Sequence, residues 1–187
     1  MGKYNFELDA KDGAKARGTA LRVHFKHTRE IMHTIKGMKL GVAKKFLEDV
    51  LEKKQAVPFT KFTGGIGRHA QLKQRKVPGS KGAWPQKATK VILDLVKNAE
   101  SNAEAGGVEV DELNVVHAQA NRAPRTRRRT YRAHGRIGPY MALPAHCEVV
   151  LAKAADKVKK GAGEEKQLKL GKRRTAQLRI ATGGGVN

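Results

Sequence analysis

Between residues 121 and 141 the chain reads NRAPRTRRRTYRAHGRIGPYM, with seven arginines, no lysine and no carboxylate. Such a segment cannot close a protein core, because guanidiniums without carboxylates must face water or meet an anion from another molecule. Its flanks decide where it goes. VEVDELNVVHAQA upstream and HCEVVLA downstream read as strands, the second with Cys147, Val149 and Leu151 on one side and Glu148 and Val150 on the other. The simplest connection is a hairpin that turns within RTYRAHGR. Its arms, counted from Leu113 and to Leu151, are about 14 residues each, or over 40 Å at roughly 3.3 Å per residue. A small domain cannot cover both faces of such a ribbon. The far half therefore projects, and since an isolated two-stranded ribbon is marginal in water, a partner must hold it.

The kind of base narrows the kind of anion. Lysine is absent from Asn98 through Ala152, whereas Arg122, Arg125, Arg127, Arg128, Arg129, Arg132 and Arg136 all fall there. Guanidinium forks grip phosphate with paired hydrogen bonds, stack on bases and lose less on desolvation than ammonium. Tyr131 adds a ring on which a base can stack. Pro124, Pro139 and Pro144 would weaken a strand inside a sheet, but a ribbon with two free edges tolerates them. A nuclear-localisation cluster at RTRRR would also account for charge, yet it requires no flanking strands, and the two roles are compatible.

Acidic residues are spaced unevenly. None lies between Glu52 and Asp94, where ten basic residues fall, and none between Leu113 and Cys147. Solvated surfaces mix signs, so two one-sign segments point to two surfaces that face phosphate, although the first also reads as a disordered basic linker. Over the whole chain 39 Lys and Arg stand against 17 Asp and Glu, a formal charge of +22. So cationic a chain repels itself unless polyanions surround it, and nucleic acid is the obvious one.

The remaining segments supply a body. TREIMHTIKG reads as a short helix with Thr28 as cap, Ile31 and Ile35 four apart and Gly37 as stop. LGVAKKFLEDVLEKKQAVP puts Ala43, Phe46, Leu47, Val50 and Leu51 on one stripe before Pro58. In WPQKATKVILDLVKNAESNAEAGG, Pro85 suits the first turn, Ala88, Val91, Ile92, Leu95, Ala99 and Ala103 recur at helical spacing, and Gly106 with Gly107 ends the helix. TALRVHFK alternates Leu21, Val23 and Phe25 with Arg22, His24 and Lys26 and reads as a strand with one buried and one basic face. Segregated helices and strands predict an α+β fold: three helices on a small three-stranded antiparallel sheet, with a long protruding hairpin, a basic insertion and a basic tail. The expected organisation is one domain over 1–154, including the insertion at 55–83 and the hairpin at 113–151, then a basic extension over 155–187. The insertion has loop composition and few apolar anchors, so neither it nor the tail is expected to have a core of its own.

Other classes find little support. No run of about 18 apolar residues exists, and the start MGKYNFELDAKDG has no apolar leader, which points to a cytosolic or nuclear protein without a membrane partner. Cys147 is the only cysteine, which excludes an internal disulfide and a cysteine-clustered zinc site and reads as a buried small hydrophobe. The seven histidines are scattered and no carboxylate pair or Ser/His/Asp set has meaningful spacing, so neither an enzyme nor a cofactor or small-molecule substrate is expected. GGIGRH lacks the ending of a nucleotide-binding loop. A DNA-architectural protein would share the charge but would carry a groove-reading helix or wedge residues.

Four motifs, APRTRRRTYRAHGRIGPY, ARGTALRVHFKHTREIMHTIKGM, VPFTKFTGGIGRHAQ and WPQKATKVILDLVKNAESNAEA, resemble the eukaryotic form of the large-subunit ribosomal protein family numbered twenty-two in bacteria and seventeen in eukaryotes. The resemblance covers about residues 15 to 155 in family order. It implies a structural constituent whose body lies on the outer face of the large subunit near the peptide tunnel exit, with the hairpin threaded through rRNA to line the tunnel. By position the resemblance implies rRNA contacts for Arg125, Arg127, Arg128, Arg129 and Arg132 and a tunnel tip at His134, Gly135 and Arg136. The full set of expected rRNA contacts adds Arg17, Arg22, His24, Lys26, Arg68, Lys73, Arg122 and Tyr131, and the expected tip adds Ala133. The implied partners are large-subunit rRNA, neighbouring subunit proteins and the nascent polypeptide, on the cytoplasmic ribosome after passage through the nucleus for assembly. Residues 55–83 resemble an insertion of the archaeal and eukaryotic branch.

Overall fold

A computed structural model describes residues 4–8, 13–75 and 77–153. The chain divides into two units, 1–154 and 155–187, and the expected basic extension lies outside the described residues.

Within the first unit, strand β7 (Ala145–Lys153) is hydrogen-bonded on both edges, to β1 (Gly13–Leu21) and to β4 (Leu113–Arg122), in an antiparallel three-stranded sheet. A central strand covered on both faces must be buried throughout, and Cys147 through Ala152 are. Cys147, Val149 and Leu151 enter the main core, where burial pushes the Cys147 thiol up to about 12. The other face carries Glu148, which the Arg17 Nε approaches at 3.4 Å and to which the Asn5 N–H donates at 3.2 Å. Phe6 stacks on His117 at 5.3 Å and Lys15 Nζ donates to the Leu8 carbonyl at 2.7 Å, so residues 4–8, which no motif placed, cross this second face.

Three helices supply the opposing layer: α1 (Phe25–Ile35), α2 (Leu40–Leu51) and α3 (Gln86–Ala105). Helix α3 packs on β1, β7 and α2, and α1 on β4. Their apolar stripes meet as the spacing predicts: Ile31, Ile35, Ala43, Phe46, Leu47, Val50, Ile92 and Ala99 are buried together. At the end of α3, Gly107 takes a positive φ of 70°, while its N–H donates to Glu104 and that of Val108 to Ala103, each at 3.0 Å. This double return closes the helix C-terminus with a glycine where a Cβ would be strained. Val108 thus belongs to the helix stop, and β4 begins only at Leu113.

The strand expected over TALRVHFK stops at Leu21, and α1 starts at Phe25. Register against β7 breaks between Gly18 and Leu21, and Ala20 has a positive φ of 49°. Leu21, Val23 and Phe25 still face the core, so a turn into a helix satisfies the same apolar pattern that a strand would. The cap differs too. His24 accepts the Lys26 N–H at 3.1 Å, whereas Thr28 lies inside the first turn and donates to the Phe25 carbonyl at 2.9 Å. An imidazole acceptor satisfies the free amide that Ser, Thr or Asp usually takes.

The insertion is attached to the core, contrary to its loop composition. Val57 and Phe59 join the main core and Leu72 is buried. Two short strands, β2 (Val57–Pro58) and β3 (Gly82–Ala83), pair across its base, and a tight helical turn covers Ala70–Arg75. Trp84 lies against His69, ring centroids 4.5 Å apart and planes tilted by 59°, and donates its indole N–H to Gln71 at 3.2 Å. The decisive contact is a carboxylate. Glu30 on α1 is fully buried and accepts the N–H groups of Thr60, Lys61 and Phe62 at 3.1, 3.1 and 2.9 Å, with Arg29 at 3.1 Å. Burial alone would raise its pKa, but the three amides and Arg29 outweigh that and hold it below the ordinary carboxylate value. A composition-based reading counts apolar anchors and misses this polar one.

Beyond the sheet the two arms continue as a ribbon. Main-chain bonds run from Ala123 N–H to Pro144, Ala142 to Thr126 and Tyr140 to Arg128, at 3.1, 3.1 and 2.7 Å. Strands β5 (Arg129–Tyr131) and β6 (Ile137–Pro139) complete it. Partner numbers sum to 267 at Arg122↔Ala145 and to 268 at Arg129↔Pro139, so the outgoing arm holds one extra residue between. Pro124, which has no N–H to offer a ladder, lies in that interval.

Glu30→Ala, which strands three buried amides, should destabilise the protein by about 3 kcal/mol in urea unfolding at neutral pH. Because the folded carboxylate has the lowered pKa, its stabilisation is present above the unfolded value of roughly 4.3 and lost as pH falls through the folded one, so Glu30→Gln should flatten the acid limb of stability against pH. In hydrogen exchange on the free chain, the amides of Cys147 to Leu151 should exchange slowest, while those of Arg132 and Tyr140 should exchange rapidly. Equal protection of both sets would show a ribbon that stands without a partner.

Candidate nucleic-acid interface

The ribbon has no core. From Pro124 to Met141 every residue is exposed except Thr130 and Gly138, which are half-buried against each other. Alternation along β5 and β6 separates two faces. On one, Arg128 lies opposite Tyr140, its guanidinium 5.3 Å from the ring centroid. On the other, Arg129 and Tyr131 face Pro139 and Ile137. Tyr131, Ile137 and Tyr140 are 72%, 56% and 61% exposed, far too open for side chains that contribute to folding by burial. Both faces therefore interleave exposed rings with guanidiniums, the combination that grips phosphate and stacks on bases.

At the tip, Arg132 N–H donates to Arg136 at 2.8 Å and the chain reverses over Ala133, His134 and Gly135. His134 and Gly135 both take positive φ, 59° and 64°. Two successive left-handed residues are what a tight hairpin turn of matching twist requires. Glycine meets that without strain, whereas histidine is an uncommon residue there. Every side chain from Tyr131 to Ile137 is exposed, including Arg132, His134 and Arg136.

The root of the ribbon brings together residues far apart in sequence. A cleft of about 220 Å³ is bordered by His24, Phe25, Lys26, Phe62, Arg122 and Arg125. Arg122 sits over the Phe25 ring at 5.2 Å, and Lys26 donates to the Gly64 carbonyl of the insertion. A wider cleft of about 560 Å³ adjoins through His24 and includes Arg22, Lys87 and Arg128. His27 contributes no charge to this corner. Burial first, then His24 and Lys26 beside it, lower its pKa, which leaves the imidazole neutral near pH 7.

Of the expected contacts, Arg22, His24, Lys26, Arg122, Arg125 and Arg128 border these two clefts. Arg127, Arg129, Tyr131 and Arg132 are exposed along the ribbon, and Arg68 and Lys73 are exposed on the insertion. Arg17 faces the buried Glu148 carboxylate within the body. Two residues join the surface that had not been singled out, Lys87 at the start of α3 and Tyr140 across from Arg128. Cross-strand register would have indicated Tyr140, but Lys87 is brought in only by the packing of α3. Among the described residues no group of three or more His, Cys, Asp or Glu side chains is arranged to hold a metal, and no helix is long and apolar enough to cross a membrane.

A protein-family model described as ribosomal protein L22p/L17e matches residues 16–152, from within β1 to the last residue but one of β7. The large ribosomal subunit protein uL22 of Suberites domuncula is 47% identical over 191 residues, covering all of both chains. That of Theileria parva is 50% identical over 189 residues, again all of both, and that of Zea mays 54% over 163 residues, 87% of this chain and 95% of the relative. The matched span holds the sheet, the three helices, the insertion and the whole arginine ribbon, and about half of all positions are identical along the full length; this chain belongs to the ribosomal protein L22p/L17e family.

Proposed function

We propose that the chain is a structural constituent of the large ribosomal subunit that binds rRNA through the ribbon and the clefts at its root, stabilises the rRNA fold, and presents the hairpin tip to the nascent polypeptide in the exit tunnel. The observation that carries this reading is the ribbon itself: from Pro124 to Met141, main-chain pairing persists with almost nothing buried and no carboxylate present. Repulsion among its arginines disfavours the compact form in isolation, and only a polyanion packed on both faces reverses the sign. RNA presents phosphates and unpaired bases together, which suits guanidiniums interleaved with tyrosines. Membership of a ribosomal protein family and relatives named for the large subunit support large-subunit rRNA as the polyanion, with other subunit proteins as neighbours. Assembly on rRNA takes the chain through the nucleus before it works in the cytoplasm.

The tip has a different task. Arg132 and Tyr131 can still meet RNA, whereas His134 at the apex has no protein around it and is turned outward by a left-handed backbone. A chain passing the apex meets imidazole with Arg136 beside it.

Affinity for large-subunit rRNA should fall steeply as salt rises, and Arg127→Ala with Arg128→Ala should flatten the log–log slope by about 1.5 to 2. An unchanged slope would remove these two arginines from the phosphate contacts. His134→Asn keeps a residue that tolerates the left-handed turn and should leave subunit yield normal while changing stalling on arrest peptides in ribosome profiling. Tyr131→Ala and Arg132→Ala should lower subunit yield instead. A yield defect from His134→Asn with no change at stall sites would make the apex an RNA anchor.

A further inference from the structure

We propose that the 220 Å³ cleft at the root of the ribbon holds one unstacked rRNA nucleobase, with the attached phosphate on its cationic rim. This rests on the rRNA-binding reading above and specifies one contact within it.

The wall of the cleft is largely apolar and aromatic. Phe25 and Phe62 meet edge to face at 5.6 Å, and Ala123, Leu143 and Pro144 complete the apolar lining. The rim is different: Lys26, Arg122 and Arg125 bring cations to it, and none of the nine lining residues is a carboxylate. An apolar side chain from a protein partner would need only the wall. A nucleotide matches wall and rim together, because its base is apolar on both faces and its phosphate is anionic. Size points the same way. At about 220 Å³ the cleft is below the roughly 300–1,000 Å³ of pockets that take drug-sized ligands, and it suits a single base rather than a stack.

The cleft is built before any ligand arrives. Phe25 N–H donates to Leu143 and Ala123 N–H to Pro144, each at 3.1 Å, which ties α1 and both arms of the ribbon around it. Lys26 reaches across to the Gly64 carbonyl and holds the insertion beside it. Arg122 covers the Phe25 ring and also borders the cleft, so an entering base stacks on the guanidinium while the rings flank it. Preorganisation of this kind removes the ordering cost that the free ribbon must otherwise meet on binding.

The test uses charge-neutral changes in the full-length chain. Arg122→Lys keeps the cation but loses the planar stacking surface, and Phe25→Leu keeps an apolar wall but loses the ring. Each should weaken binding to large-subunit rRNA by about tenfold with the salt slope unchanged. In a parallel titration, adenosine 5′-monophosphate should shift the NMR signals of the Leu143 methyls and the Phe25 ring, and ribose 5-phosphate should not. Wild-type affinity in both variants would overturn the base pocket while a steep wild-type slope kept the rRNA reading. A flat wild-type slope would sink the rRNA reading itself. A flattened slope in Arg122→Lys, or equal shifts from both small ligands, would reduce the cleft to a phosphate contact. Normal rRNA affinity combined with loss of the variants from assembled subunits would assign the cleft to a neighbouring protein.

Discussion

Hydrogen bonding of β7 to both β1 and β4 is the constraint on which the rest depends. The strand belongs to the body by burial and runs directly into the ribbon, where burial ends. From Cys147 to Ala152 it is covered on both faces, by helices on one and by residues 4–8 with Arg17 on the other. A body stabilised in this way fixes the direction in which Pro144 and Ala123 leave it, and the main-chain bond between them starts the ribbon in register. The ribbon needs no core to be aimed correctly, only a rigid root.

Two buried carboxylates organise a chain whose surface is overwhelmingly positive. Glu148 holds the N-terminal segment and Arg17 to the central strand, and Glu30 holds the insertion to α1. Glu30 accepts three main-chain amides and Glu148 one, and each lies next to an arginine, so the charge is satisfied in place and not merely hidden. The rest of the positive charge is free to face outward. Near the root of the ribbon it concentrates without a carboxylate, because α1, α3, the insertion and both arms converge there.

A ribbon with exposed tyrosines and uncompensated arginines couples its own ordering to the binding of its partner. Ordering a segment on binding costs on the order of 2–5 kcal/mol of the gross interaction energy. The preformed clefts at the root bear less of that cost than the distal arms, where binding must order two strands and a left-handed turn together. Arginine serves both places because it carries charge and a flat stacking surface in one group.

Local periodicity made much of this legible. Apolar residues at helical spacing located α2 and α3, alternation located β7, and the absence of acids from Leu113 to Cys147 required a ribbon that its own body could not cover. Four motifs in order were enough to indicate the family that the full-length comparison then showed. Local signals failed where one pattern fits two structures, as in TALRVHFK, whose core-facing residues are accommodated by a turn and helix start as well as by a strand. They failed also where a single long-range contact decides the outcome. Nothing near residue 60 indicates that Glu30 awaits its amides, and nothing near Lys87 places it in one cleft with Arg128. The sequence by itself determined which segments could be buried and where charge had to leave the protein, because spacing and composition act over a few residues. Only the tertiary structure decided which buried carboxylate meets which amide and which cations share a cleft, because those energies depend on distances between groups that the chain does not bring together until it folds.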